Sequence, residues 1–342
     1  MGRVGMPEAV SIAAAARLDR TWRLVRLVAF LLIVFASKAS QAAVATRGPY
    51  LQQATPDSII VRWRTDVSTR SYVRYGPSRE QLSTVVSNST LTTNHVMQLT
   101  NLTPNTKYFY EVGTASAWFP AATNTYFVTS PPPGTSQPTR LWVIGDSGTK
   151  DANAANVRNA YRTVARNRKA DLWLMLGDNA YQSGTDAEYQ DAVFDMYPDV
   201  LRNTAVWPTI GNHETTVSPY LSIFTLPQQG EVGGIASGTE RYYSFDYGNI
   251  HFICLDSWSS DRSSNAPMCE WLRTDLEATT QDWLIAFWHH PPYTKGSHDS
   301  DTEAELVAMR RNALPILESY GVDLVLCGHS HCYERSFLLE LP

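Results

Sequence analysis

No apolar run in this 342-residue chain is long enough to cross a bilayer comfortably. The longest apolar run, Leu27 to Ala36, has ten residues, against about 20 for a spanning helix. Excess positive charge is also missing: 28 Lys and Arg face 33 Asp and Glu, a formal net charge of -5. An acidic surface repels phosphate backbones, which argues against nucleic acid as a non-specific partner. Cysteine is scarce, and Cys254, Cys269, Cys327 and Cys332 form no C-x-x-C pair, so neither a zinc knuckle nor a dithiol redox motif is supported. In an oxidising compartment these four are expected to make one or two disulfides, with three full pairings open. No internal repeat is evident.

At the amino terminus Arg17, Arg20, Arg23 and Arg26 precede the apolar run, and Ser40-Gln41-Ala42 follows it. A basic region, an apolar core and small residues in that order predict a secretory signal over residues 1–42. The mature chain is then expected to be secreted or extracytoplasmic, periplasmic or at the cell surface, with no stable membrane span; an uncleaved signal anchor is the alternative. Residues 1–42 hold six basic against two acidic residues, so their removal takes the net charge to -9. With 43% hydrophobic and 18% charged residues, the chain as a whole has a globular composition suited to two domains.

From about Thr46 to Ser130 the pattern is one of short strands. Ser58 to Arg64, Ser71 to Tyr75, His95 to Leu99 and Lys107 to Val112 are separated by Gly, Pro and Asn, and several alternate strictly, which predicts an antiparallel sandwich. Leu102 to Tyr110 resembles the corner that leads into a late strand of fibronectin type III modules, so residues 46–130 are expected to form a fibronectin type III-like all-β sandwich. Pro131 to Pro138 then reads as a stiff polar linker. Residues 139–342 alternate strand and helix patterns. Leu141 to Gly145 and Asp171 to Leu176 flank a helical pattern over Asn153 to Arg168, a parallel βαβ unit. Tyr242 to Asp246 and Asn249 to Asp256 read as a hairpin about Tyr247-Gly248. Asp282 to Trp288 and Val322 to Cys327 are buried-type strands around one helix, Thr302 to Tyr320, kinked at Pro315. The expected architecture here is α/β, with a mixed two-sheet core flanked by helices.

Five polar clusters fall at the carboxyl ends of predicted strands, where open α/β sheets bind ligands. They are Gly145-Asp146-Ser147-Gly148, Gly177-Asp178-Asn179-Ala180-Tyr181, Gly211-Asn212-His213-Glu214, His289-His290 and Gly328-His329-Ser330-His331. Carboxylate, phenolate, amide oxygen and imidazole make a hard to intermediate donor set suited to iron, zinc or manganese. Asp146, Asp178, Tyr181, Asn212, His289, His329 and His331 overfill one ion and suffice for two that share a carboxylate. Singly, each has a plainer reading, a turn carboxylate satisfied by backbone donors or a packed tyrosine; their repetition at strand ends argues for a site. His251 reads as structural, and His290 as structural or as a support behind the ligands. Tyr333, Glu334 and Arg335 read as supports of His331 or as an ordinary ion pair.

In order, the clusters read G-D-x-G, G-D-x-x-Y, G-N-H-[DE], V-x-x-H and G-H-x-H. They resemble the motif set of purple acid phosphatases, within the calcineurin-like metallophosphoesterases, and the resemblance runs from roughly Arg47 to Ser336. It implies a metallophosphoesterase domain over residues 139–342. It implies that Asp146, Asp178, Tyr181 and His331 hold a ferric ion, and that Asp178, Asn212, His289 and His329 hold a divalent iron, zinc or manganese, with Asp178 as the bridge. The implied activity is that of a secreted acid phosphatase acting on small-molecule phosphate monoesters. The metal pair stays net positive after its ligands' charges, attracts phosphate and acidifies a bound water into the attacking hydroxide. His213 would contact phosphate or protonate the leaving group. His298, nine residues past His289, stands where the family carries a substrate histidine.

Two positions depart from the pattern. Ala286 replaces the preferred Val, a packing change, and Asp299 stands where some members have a second histidine, which bears on leaving-group protonation and substrate preference. The alternatives are a phosphodiesterase or nucleotide hydrolase on the same site, an inactive surface-binding protein, and peroxide chemistry at a redox-active iron. The chain stops six residues after Ser336, where the resemblance leads to an expectation of further strands. A truncated or shortened chain is expected to leave Phe337-Leu338-Leu339 as a strand without neighbours, an exposed apolar edge.

Overall fold

The computed structural model describes residues 1–2, 42–120, 122, 124–166 and 168–338. The signal sequence expected over residues 1–42 lies, apart from its ends, outside the described residues, as does Leu339. Among the described residues no helix is long and apolar enough to cross a membrane.

Five strands precede the proline-rich segment: β1 (Ala45–Gln52), β2 (Ile59–Gly76), β3 (Thr84–Leu99), β4 (Lys107–Gly113) and β5 (Tyr126–Val128). The two separate strands expected at 58–64 and 71–75 are the ends of one 18-residue strand, β2. Its first half pairs with β1 and its second half with β4, while β3 runs antiparallel along its other edge, with register shifts between Arg64 and Ser71. Such irregularities let one strand serve both layers of a sandwich. Within it, Trp63 stacks on the buried His95 at 4.5 Å, whose ring nitrogens meet Thr65 Oγ1 and Ser71 Oγ, each at 2.8 Å.

The α/β part follows the expected order. Strands β6 (Leu141–Ile144), β7 (Leu172–Met175) and β8 (Ala205–Pro208) pair in parallel. Helix α1 (Ala152–Ala165) crosses from β6 to β7, its first turn capped by Asp151, which accepts the Ala154 N–H at 2.9 Å. Short helices α2 (Asp186–Tyr189), α3 (Pro198–Leu201) and α4 (Val217–Ile223) come next, α2 running into a π turn at Gln190–Phe194. The second sheet holds the hairpin β9 (Tyr243–Tyr247) and β10 (Ile250–Cys254), then β11 (Trp283–Trp288) and β12 (Leu324–Cys327), both parallel to β10. Helix α5 (Pro267–Ala278) precedes β11. The single helix expected over 302–320 is instead α6 (Ala304–Ala308), a π turn (Met309–Ala313) and α7 (Leu314–Ser319). Pro315 has no N–H for an i→i−4 bond, and the widened turn lies immediately before it.

One seam was not readable from the sequence. Leu51 of β1 pairs in parallel with Ala205 of β8, joining the amino-terminal strands to the α/β strands in one eight-stranded sheet of order β5-β4-β2-β1-β8-β7-β6, with β3 on β2. The buried apolar core is continuous across that seam, and Trp207 of β8 stacks on Phe245 of β9 at 3.7 Å to tie the two sheets together.

Two expectations are corrected. All four cysteines are free thiols. Cys254 and Cys269 are buried in separate core clusters, which keeps them apart. Phe337 and Leu338 form no strand and are exposed.

Candidate metal centre

The five clusters all leave strand carboxyl ends: Asp146 after β6, Asp178 after β7, Asn212 after β8, His289 after β11 and His329 after β12. Three of these residues turn the chain through the left-handed region, with φ of 55° at Asp146, 50° at Asp178 and 67° at His329. For non-glycine residues this conformation costs about 1–2 kcal/mol each and clusters at functional sites. The loops lock one another: Asp146 N donates to Gly177 O at 3.0 Å, His329 N to Asp146 Oδ2 at 2.8 Å, and Gly328 N to His289 O at 2.9 Å. Gly211 is needed for this closeness, since a Cβ there would sit 2.3 Å from Asp178 Oδ1.

Two groups of donor atoms result. Tyr181 Oη lies 3.4 Å from Asp146 Oδ1, 3.3 Å from Asp178 Oδ2 and 3.3 Å from His331 Nε2. His289 Nε2 lies 3.0 Å from Asn212 Oδ1, 3.4 Å from Asp178 Oδ2 and 3.3 Å from His329 Nδ1. Asp178 Oδ2 belongs to both groups and is buried. His289 Nδ1 donates to Leu176 O at 2.7 Å, which leaves Nε2 facing Asn212 Oδ1, Asp178 Oδ2 and His329 Nδ1, where the neutral ring could ligate a cation. Spacings of 3.3–3.4 Å are long for hydrogen bonds to a phenol. They match ligands around a cation, whose bonds of about 2.0–2.2 Å set neighbouring ligand atoms about 3.0–3.5 Å apart. The donor set therefore fits two cations. All seven residues singled out in the sequence lie in one or both of these groups.

Residues 139–333 match the family model described as calcineurin-like phosphoesterase. The chain belongs to the calcineurin-like phosphoesterase family. Residues 48–130 match the model for the amino-terminal domain of purple acid phosphatases. Among curated relatives, purple acid phosphatase 15 of Arabidopsis thaliana is 31% identical over 282 residues, covering 71% of this chain and 49% of the relative. Human acid phosphatase type 7 is 28% identical over 320 residues, covering 82% and 68%. The solved purple acid phosphatase from yellow lupin (Lupinus luteus) seeds shares the fold, with a TM-score of 0.65 at 19% identity over 84% of this chain and 58% of that one. The chain spans about half the length of the first of these relatives.

The purple acid phosphatase family implies a binuclear metal centre, and the electrostatics of this calcineurin-like phosphoesterase seek positive charge. Burial raises the Asp146 carboxyl, with His289 opposing. At His289 burial disfavours the charged ring, yet Asp178 and Asp146 prevail and bring its pKa to about 9. Burial, then Asp146 and Asp178, push the Tyr181 phenol up; an adjacent cation would reverse that. Burial and the neighbouring His289 take His329 down to about 4, a neutral ring able to ligate.

Around this centre lie the other predicted site residues. His213 Nδ1 is 3.0 Å from Gln182 O, leaving Nε2 on the site side, 3.9 Å from Asp178 Oδ2. The His298 ring lies against that of His329, tilted by 30°, with centroids 3.6 Å apart. Asp299 is turned to other work: its carboxylate accepts Asp301 N and Thr302 Oγ1, each at 2.9 Å. Ala286 is fully buried in β11. His290 is held by Ser257 Oγ at 2.9 Å, and His251 lies between Asp246 and Asp275. Glu334 accepts Thr294 Oγ1 and the Lys295 N–H, so it anchors the loop before His298 and neither supports His331 nor pairs with Arg335, while Tyr333 is exposed.

Two acids escaped the sequence reading as site residues. Glu214 is completely buried and accepts Asp178 N at 3.0 Å, Asn179 N at 2.8 Å, Gly211 N at 2.7 Å and Tyr189 Oη at 3.1 Å. Glu303 receives His298 Nδ1 at 3.0 Å and His329 Nε2 at 3.2 Å. Glu214 stood in a recognised motif, so its place was signalled although its role was not. Glu303 had no signal, because only α6 brings it back over the loop.

Proposed function

We propose that this protein is a secreted, binuclear metal-dependent acid phosphatase that hydrolyses phosphate monoesters. The observation that carries the reading is the pair of donor groups sharing Asp178 Oδ2. In it, Asp146, Asp178, Tyr181 and His331 hold a ferric ion, and Asp178, Asn212, His289 and His329 hold a divalent iron, zinc or manganese. When bound, such a pair supplies Lewis acidity, which activates water and neutralises phosphoryl charge.

The chain's own residues do the rest. The Tyr181 phenolate favours the higher charge on its side of the pair. His329 engages through Nδ1, because Glu303 occupies its Nε2; the carboxylate fixes the tautomer and sharpens the nitrogen's basicity. His213, anchored at Nδ1, offers Nε2 to a phosphate oxygen or to the leaving group. His298 offers its remaining nitrogen to the same anion. Small-molecule phosphate esters are the substrate class, and an acidic mature surface fits a partner other than nucleic acid.

Metal analysis with a visible spectrum of the native protein and of Tyr181→Phe tests this reading. Two metals per chain, a charge-transfer band lost in the variant, and faster turnover of a monoester than of a matched diester are expected. A colourless active protein would remove the ferric ion, faster diester turnover would make the protein a phosphodiesterase, and absence of both metal and activity would leave a surface-binding protein.

A further inference from the structure

The amino-terminal sandwich reaches directly into the scaffold of the site. Arg64 of β2 grips Asp186 with both guanidinium nitrogens, at 2.6 Å to Oδ2 and 2.5 Å to Oδ1. Arg47 of β1 reaches the same carboxylate at 3.2 Å, donates through Nε to Gln190 Oε1 at 2.8 Å, and lies over the Phe194 ring at 4.1 Å. Only 2% of the Arg47 side chain is exposed. Burial pushes its pKa down, while the hydrogen bond from Arg64, followed by the charge of Arg47, holds Asp186 below the usual carboxylate range. Simple adhesion between two apolar surfaces needs no buried guanidinium; a bidentate charge pair fixes direction as well as distance.

Asp186 opens α2, immediately after Thr185, and the same helical turn carries Glu188. Glu188 accepts the backbone N–H groups of Gln182 at 2.6 Å, Ser183 at 3.2 Å and Thr185 at 2.9 Å. The loop that hangs from Glu188 begins at Tyr181, whose ring lies edge-on to His213 at 4.4 Å. Gln182 O accepts a hydrogen bond from His213 Nδ1, and Gly184 at φ 69° packs so tightly on Glu214 that a Cβ would sit 2.9 Å from its Cα. A continuous series of directional contacts therefore runs from the sandwich through one carboxylate to the phenol and imidazole of the site.

We propose that Asp186, clamped by Arg47 and Arg64, is a positioning residue for Tyr181 and His213, so that the sandwich sets the geometry of one side of the metal centre. The kinetic part of this inference rests on the proposed phosphatase activity; the structural part does not. A plain interdomain ion pair would affect stability of the whole chain and leave the 181–185 loop as protected as its surroundings.

Hydrogen exchange of the full-length Asp186→Asn variant separates the two. Gln182, Ser183 and Thr185 amides are expected to exchange about tenfold faster while β7 and β11 keep their protection. On a phosphate monoester kcat is expected to fall about tenfold with KM within about threefold, since misplaced groups act on the transition state. Asp186→Glu should recover part of both losses. If Asp186→Asn does not fold, Arg64→Gln at the half-exposed end of the clamp carries the same measurement. Unchanged exchange over 181–185, or exchange raised equally in β7, overturns the inference. A wild-type protein that hydrolyses no phosphate ester would overturn the functional reading alone, because the exchange comparison still decides the positioning.

Discussion

Glu214 Oε2 accepts the backbone N–H of Asp178 at 3.0 Å, across two loops that leave different strands. The same oxygen takes Gly211 N at 2.7 Å, and the other takes Asn179 N and Tyr189 Oη. All four partners are donors, so an ionised carboxylate suits them and an amide does not.

Glu214→Gln places an NH2 group against N–H donors. With the NH2 at the Oε1 position Tyr189 Oη can turn to accept from it, so at least the Asn179 N–H loses its acceptor in a dry site, a cost of about 1–3 kcal/mol in stability. Urea unfolding reads this, and a phosphatase assay at a temperature where the variant is folded should show activity down about 10- to 100-fold. A variant within about 0.5 kcal/mol of the parent would show that the carboxylate does not hold the Asp178 turn.

Glu303→Ala removes the carboxylate shared by His298 and His329. It lies on the surface side of the site, so the fold should survive. The affinity for the divalent ion is expected to drop about 10- to 100-fold, measured by competition with a chelator. Equal affinity would mean that His329 keeps its tautomer without help.

Gly211→Ala inserts a methyl group where Asp178 Oδ1 would be 2.3 Å away and Asp178 N 2.4 Å away. Both are held in place by other bonds, so the carboxylate common to the two donor groups must move. Metal content should fall below one ion per chain; retention of both ions would show that the loop yields instead.

His251 makes stability fall at alkaline pH. Burial opposes its charge, but hydrogen bonds to Asp246 at 2.7 Å and Asp275 at 2.9 Å outweigh it and raise its pKa from 6.5 to about 9. A group with a raised folded-state pKa stabilises fully below its unfolded value and loses that contribution as pH climbs through the folded one. The window is therefore pH 6.5 to about 9, and the amount about 3 kcal/mol. Urea midpoints across this window should decline in the parent and decline less in His251→Gln. Parallel slopes would show that the buried ring is neutral.

The strand-ending clusters were legible because each is local: a glycine, a short polar run and an apolar strand before it are all contained in a few residues. So were the β6-α1-β7 unit and the β9–β10 hairpin, whose periodicity depends on neighbouring residues alone. The long β2 was not, since its exposed middle, Asp66 to Arg70, breaks the apolar alternation, and the strand continues across it with only Thr69 paired, to Thr92, between two register shifts. The widened turn before Pro315 was likewise invisible to a pattern that counts side chains.

By itself, then, the sequence determined which seven side chains were candidates for metal binding, because ligand chemistry is a property of residue type and each motif supplies its own. Only tertiary structure decided that Asp178 Oδ2 stands in both donor groups, that Glu214 and Glu303 hold those groups in place, and that Leu51 and Ala205 join the two halves in one sheet. Those are distances between parts of the chain far apart in number. They are set by how β1, β7, β8 and α6 pack, and packing depends on all the faces at once.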